Sequence, residues 1–266
     1  MTNKKAFLVI SFGSTFEDTR EKDIGGVEHA MAIAFPNYDH YRAFTSTFIR
    51  KALGKQGINV DDADKALAKL AAAGYEEVIL QPTHLLNGQE FEQRVLAIKD
   101  KYIGSFKRLL ISTPLLYTDH DYELFMAAVQ TTLPPLAADE GVVFMGHGTP
   151  HSNNAAFGTT YVRLQQMADA AGLPYLFGTV EDEDTPNLEQ LLERLKDSGY
   201  RHVHMYPMMV VAGDHANNDM YSDEEDSWKT QIEALGIRTT GHLHGMGRLP
   251  IIQGLYIQHA LETLAK

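Results

Sequence analysis

Gly74-Tyr75-Glu76-Glu77-Val78 and Gly199-Tyr200-Arg201-His202-Val203 lie 125 positions apart, and the same offset carries Pro82 onto Pro207, Gly88 onto Gly213 and Glu90 onto His215. A second match, at an offset of 135, sets Ser11-Phe12-Gly13-Ser14-Thr15 against Gly146-His147-Gly148-Thr149-Pro150. Around these strings, short apolar runs bounded by Gly, Pro or Asn alternate with longer stretches of helical period, the pattern of parallel βα units. Strands are expected at 6–12, 40–44, 77–82, 107–113, 141–146, 174–180, 202–207 and 237–242, with helices notably at 62–73 and 187–198. The fold class is therefore α/β: two similar lobes, each a mainly four-stranded parallel sheet flanked by helices, with the active site in the cleft between them. The expected lobes are 1–134 and 135–266, divided near Pro134-Pro135, and a final helix over 250–265 can pack back on the first lobe. A single continuous doubly wound sheet is the competing arrangement.

Composition narrows the function. With 266 residues, 44% of them hydrophobic and 22% charged, the chain has the make-up of an ordinary soluble globular protein. A formal charge of −12 repels nucleic acid and anionic membrane alike. No cysteine is present, so thiolate nucleophiles, iron–sulfur clusters and thiolate zinc sites are excluded, and metal chemistry must use nitrogen and oxygen ligands. No run of about 18 apolar residues occurs, and the first apolar run is short for a signal segment and lacks a cleavage pattern; a cytoplasmic protein is the simplest expectation.

In open parallel sheets, ligands bind beyond the carboxyl ends of the strands. Glu90 and His215 each sit just past a strand at matching places in the repeat, and His147 follows the first strand of the second lobe. Two imidazoles and one carboxylate suit Co²⁺, Fe²⁺, Ni²⁺ or Zn²⁺, and without thiolates the ion stays releasable. Taken singly, Glu90 reads as a helix-start carboxylate and each histidine as a turn residue; their shared topological position favours function. Weaker features are His202-Val203-His204 and His242-Leu243-His244, whose period of two lets each pair share a strand face and chelate metal, although half-buried strand positions are the commoner meaning. His151 follows His147 by four residues, with Pro150 between. Ser222 and Glu225 form a capping box, which makes Asp223-Glu224-Glu225-Asp226 the first turn of a helix.

The strings Arg42-Ala43-Phe44-Thr45-Ser46, His84-Leu85-Leu86-Asn87-Gly88, Val143-Phe144-Met145-Gly146-His147-Gly148, Val211-Ala212-Gly213-Asp214-His215-Ala216, Asn218-Asp219-Met220 and Asp226-Ser227-Trp228-Lys229 resemble the anaerobic, early-insertion cobalt chelatases that act on sirohydrochlorin, the CbiK type of the class II chelatases, to which ferrochelatases are related. The likeness runs from the first strand to the last helix. It implies a lyase of cobalamin biosynthesis that inserts Co²⁺ into sirohydrochlorin, a tetrapyrrole at the precorrin-2 level, with loss of two protons. It also implies metal ligands His147, His215 and Glu90, with His147 and Glu90 catalytic as proton acceptors. Ser11, Phe12, Ser14, Leu86 and Thr149, at strand ends, are expected to contact the substrate.

No tightly bound cofactor is expected: the divalent metal, Co²⁺ or alternatively Fe²⁺ or Ni²⁺, is itself a substrate. The partners are the metal and the tetrapyrrole, without nucleic acid or membrane, and a homo-oligomer is compatible with the sequence. Insertion of iron into sirohydrochlorin or a porphyrin, and a non-catalytic metal or tetrapyrrole carrier, are the alternative readings. Arg42, Arg50 and Lys51 are conceivable contacts for the substrate's carboxylate rim, although solvated surface is the simpler reading of each.

Overall fold

The computed structural model describes residues 4–149 and 159–266, so His151 lies outside the described residues. Two all-parallel, four-stranded sheets are formed. The first contains β1 (Lys5–Ser11), β2 (Asp39–Phe44), β3 (Glu77–Pro82) and β4 (Arg108–Ile111) in the order β2-β1-β3-β4. The second contains β5 (Glu140–Gly146), β6 (Tyr175–Thr179), β7 (His202–Met208) and β8 (Arg238–Gly241) in the order β6-β5-β7-β8. All eight strands fall on the expected segments, their ends differing by at most two residues. The identical strand order is the structural form of the sequence repeat. Contacts divide the chain into one unit of residues up to Phe125 together with Gly247–Lys266, and one of Met126–Met246. The division falls inside the helix Asp119–Thr132, upstream of Pro134-Pro135.

In the first unit, β1 lies between β2 and β3 and is buried on both faces, which is why it reads as an unbroken apolar run instead of an alternating one. Ala6, Leu8 and Ile10 pack with Val78 and Leu80 of β3 against Leu67 and Leu70 of the helix Ala63–Ala72. On the other face Phe7 stacks on Phe35 at 4.9 Å between ring centroids. Each fully buried large apolar side chain contributes about 1.5–3 kcal/mol, so the first strand contributes several such increments to the core of its unit. The helix Pro250–Leu264 belongs to this unit, where the Tyr256 hydroxyl donates to the Thr83 carbonyl at 2.6 Å and His259 Nε2 lies 3.0 Å from Asp121 Oδ1.

The second unit repeats the plan, with Val143 and Met145 of β5 and Val203 and Met205 of β7 packed against Leu191, Leu195, Trp228 and Ile232. The helix Leu188–Ser198 starts as the sequence prescribes: the Asn187 side chain accepts from Gln190 N, and the Gln190 side chain accepts from Asn187 N. The expected helix start at Ser222 is not formed. Asp223-Glu224-Glu225-Asp226 lies in turns, Ser222 Oγ donates to the Asn218 carbonyl at 2.7 Å, and Ser227 instead caps the helix Trp228–Glu233 by accepting from Thr230 N. The hydroxyl that reaches an unpaired helical N–H sets the start, and Ser222 already serves the preceding turn.

Directly after β1, Gly13 has φ +106° and a Cβ there would lie 2.8 Å from the Phe44 ring. Gly13→Ala therefore combines backbone strain with a collision against a fully buried ring and should destabilise the protein by roughly 1–3 kcal/mol, read as a lower urea midpoint at unchanged m-value.

Candidate active site

In a parallel sheet of order 2-1-3-4, successive crossovers leave toward opposite sides of the central strand, so the loops after the first and third strands part and open a crevice at the carboxyl edge. His147 follows β5 and His215 lies in the segment after β7, the two strands that flank this point in the second unit. Their imidazoles meet edge to face, with centroids 4.8 Å apart and planes at 87°.

The ring orientations follow from their neighbours. His215 Nδ1 lies 2.5 Å from Asp219 Oδ2, one helical turn later, and His147 Nδ1 lies 3.2 Å from the Gly148 carbonyl oxygen. A carbonyl can only accept and a carboxylate is an acceptor when ionised, so each ring donates from Nδ1 and, as the neutral tautomer, presents its Nε2 lone pair. The loop bearing His215 is fixed by Asn217, whose Nδ2 donates to the Gly213 carbonyl at 2.7 Å.

A carboxylate joins the pair from the loop after β6. Val180 N donates to the Gly146 carbonyl at 3.0 Å and Glu181 N to the His147 carbonyl at 3.2 Å, which continues the strand ladder past the sheet and brings Glu181 Oε1 to 3.8 Å from His147 Nδ1. Thr149 N donates to Asp184 Oδ2 at 2.8 Å. The loops can approach this closely because position 148 is glycine, with φ +88° and an ideal Cβ only 3.0 Å from Glu181 Cβ. His147, His215 and Glu181 are between a third and a half exposed, so an ion can reach them.

Sequence reasoning did not single out Glu181 or Asp219. Glu181 opens an acidic run, Glu181-Asp182-Glu183-Asp184, that reads as solvated surface, whereas the His215/Asp219 spacing of four was a usable signal for a carboxylate-oriented imidazole.

The equivalent edge of the first unit carries the remaining expected residues. Glu90 is the second residue of the short helix Gln89–Phe91 and, among the described residues, has no hydrogen-bond or ion-pair partner. Phe12 is half exposed, Leu86 is partly buried and bridges to Leu116, and Thr149 in the second unit is buried. Ser11 and Ser14 are each 2% exposed and their hydroxyls are engaged internally, Ser11 Oγ accepting from Thr83 Oγ1 at 2.9 Å and Ser14 Oγ paired with Thr19 Oγ1 at 2.7 Å. Arg42 is held by both carboxylate oxygens of Glu28 and Arg50 by Asp62 at 3.2 Å, so neither guanidinium is unpaired; Lys51 is exposed.

His84, just past β3, has both ring nitrogens buried with no hydrogen-bond partner among the described residues, and burial pushes its pKa down to about 4. The native ring is neutral while the unfolded one takes a proton near pH 6.5, so stability falls as pH drops from about 6.5 toward 4. His84→Leu should flatten that part of a melting-temperature profile. Asp219→Asn removes the charge that orients His215, and the apparent KM for metal should rise about 10-fold or more with kcat less affected, measured by steady-state metal titration.

Residues 5–265 match the family described as cobalt chelatase (CbiK). A sirohydrochlorin cobaltochelatase of Salmonella typhimurium is 42% identical over 262 residues, covering 98% of this chain and 97% of that protein. The sirohydrochlorin cobaltochelatase CbiKC of Nitratidesulfovibrio vulgaris is 28% identical over 264 residues, covering 98% and 91%. Among solved structures, SirB from Bacillus subtilis with Fe³⁺ superposes with a TM-score of 0.61 at 14% identity, covering 98% of this chain and 96% of that one, and so shares the fold. A match that spans nearly the whole chain, together with a relative of this identity over nearly its whole length, shows that the chain belongs to the cobalt chelatase (CbiK) family.

Proposed function

We propose that this protein inserts Co²⁺ into sirohydrochlorin with release of the two pyrrolic protons, as a cytoplasmic step of anaerobic cobalamin synthesis. The observation that carries the reading is the His147–His215 pair, edge to face at 4.8 Å with Nε2 free to ligate on each ring. Family membership and the names of the two chelatase relatives support the substrate and the metal.

Insertion requires an ion that is partly stripped of water yet easily surrendered. Two neutral imidazoles and a carboxylate meet that need, since thiolates would hold the ion too firmly. In this reading His147 Nε2 and His215 Nε2 bind Co²⁺, Glu90 is the expected third ligand, and Glu181, beside His147 Nδ1, orients that ring. As the ion passes to the ring nitrogens, two protons must leave. The Nε2 lone pair of His147 is released by the departing metal and accepts one; Glu90, a carboxylate with no hydrogen-bond or ion-pair partner among the described residues, accepts the other. Phe12 and Leu86 offer apolar contact to the macrocycle and Thr149 a hydroxyl, while Ser11 and Ser14, buried and paired, shape the turn that presents Phe12.

Purified protein with CoCl₂ and sirohydrochlorin should change the visible spectrum faster than the uncatalysed mixture, and His147→Ala should lower kcat by about 10² with folding intact by circular dichroism. Glu181→Gln should act chiefly on the KM for Co²⁺, and Glu90→Gln should weaken metal affinity with a smaller loss of rate than His147→Ala. Absence of acceleration with any divalent metal, Fe²⁺ included, would overturn the function; a near-normal kcat in His147→Ala at saturating Co²⁺ would remove His147 from proton transfer.

A further inference from the structure

At the other end of the second sheet, the amino edge, Glu140 opens β5 and His202 opens β7 as its register partner. His204 follows on the same face of β7, and Thr240 on β8 lies in register with it. His202 Nδ1 is 2.9 Å from Glu140 Oε1, and His204 Nε2 is 4.0 Å from the same oxygen. One ligand atom from each of Glu140, His202 and His204 falls within 4.8 Å of the other two. Metal–nitrogen and metal–oxygen bonds of about 2.0–2.2 Å set neighbouring ligand atoms about 3–3.5 Å apart, so side-chain shifts of roughly an ångström suffice to close the three around one ion.

We propose that Glu140, His202 and His204 form a second binding site for a divalent transition-metal ion such as Co²⁺ or Zn²⁺, separate from the His147–His215 site.

The outer nitrogen of each imidazole already has the partner that a ligating histidine needs. His202 Nε2 lies 2.9 Å from Thr240 Oγ1, and His204 Nδ1 lies 3.1 Å from His242 Nε2. When His204 donates from Nδ1 to His242, its Nε2 lone pair faces a carboxylate oxygen, an arrangement that a cation between them turns from repulsive to attractive. Glu140 Oε2 is occupied by the Ala137 N–H at 2.9 Å, which aims Oε1 at the two rings.

The repeat gives an independent argument. In the first unit the matching positions are Lys5 and Glu77, and there the carboxylate is neutralised by the Lys5 ammonium at 3.2 Å and the Arg108 guanidinium at 3.5 Å. In the second unit the carboxylate has moved to β5, and among the described residues it has imidazoles but no lysine or arginine beside it. A half-buried anion whose counterpart is paired with fixed cations is here offered only metal ligands. The seven residues from Glu140 to His147 span about 23 Å of extended chain, so one ion cannot serve both sites.

The test is Co²⁺ binding by equilibrium dialysis with CoCl₂ alone, metal counted by mass spectrometry. The wild type should hold two ions per chain, and His147→Ala/His215→Ala one. Adding Glu140→Gln and His204→Asn to that pair should weaken the remaining binding by about 10- to 100-fold. Glu140→Gln/His204→Asn alone should keep one ion and near-normal chelatase turnover, which separates failure of this site from failure of the active site. The melting temperature of His147→Ala/His215→Ala should rise with CoCl₂, and the rise should vanish when the more conservative His202→Gln is added to that pair. No ion bound by His147→Ala/His215→Ala, or binding indifferent to Glu140→Gln/His204→Asn and to His202→Gln, would overturn the proposal.

Discussion

The constraint on which the molecule depends is the reversal of strand order on either side of the first strand of each sheet. A parallel strand cannot be joined to its neighbour by a hairpin, so each connection must cross a face, and where the direction of travel reverses the crossing chains separate. That separation exposes the carboxyl ends of β1 and β3 in one unit and of β5 and β7 in the other. The residues assigned to chemistry, Glu90, His147 and His215, all follow one of these four strands. Glu181 arrives from β6 because the β5 and β6 loops go on pairing beyond the sheet.

The architecture was legible because its cause is legible: a strand buried on both faces is largely apolar, as in the central strands β1 and β5, whereas the edge strands β2, β4 and β8 are only partly buried and were marked more by their place between helical stretches. The repeat was legible for a similar reason, since glycines at 74 and 199 both adopt a left-handed backbone, φ +77° and +75°, that other residues resist. Side-chain engagement was not legible. Ser11 and Ser14 occupy the expected places, yet their hydroxyls are turned into pairs with Thr83 and Thr19. The choice between Ser222 and Ser227 as a cap turned on which hydroxyl was already committed, a tertiary fact. The acidic run beginning at Glu181 looks like any solvated surface until Gly148 is seen to let the loop approach.

The His147–His215 arrangement also sets a carboxylate behind each ring. Asp219 at His215 Nδ1 and Glu181 at His147 Nδ1 both act on nitrogens that face away from the ion and so set the basicity and angle of the ligands. Such an arrangement lets metal affinity be adjusted without altering the donor atoms, which matters to a protein that has to surrender the ion it captures.

The first unit is discontinuous along the chain, since the helix Pro250–Leu264 completes it after all of the second unit has been traversed. On a ribosome, the segment Met126–Met246 is therefore available to fold before the strands that precede it have their last covering helix. Until Tyr256 reaches the Thr83 carbonyl, the segment bearing His84 and Glu90 lacks its buried anchor. A nascent chain at that stage would present a finished metal-ligand pair attached to an unfinished partner, and the N-terminal unit would be the one exposed to proteases and chaperones.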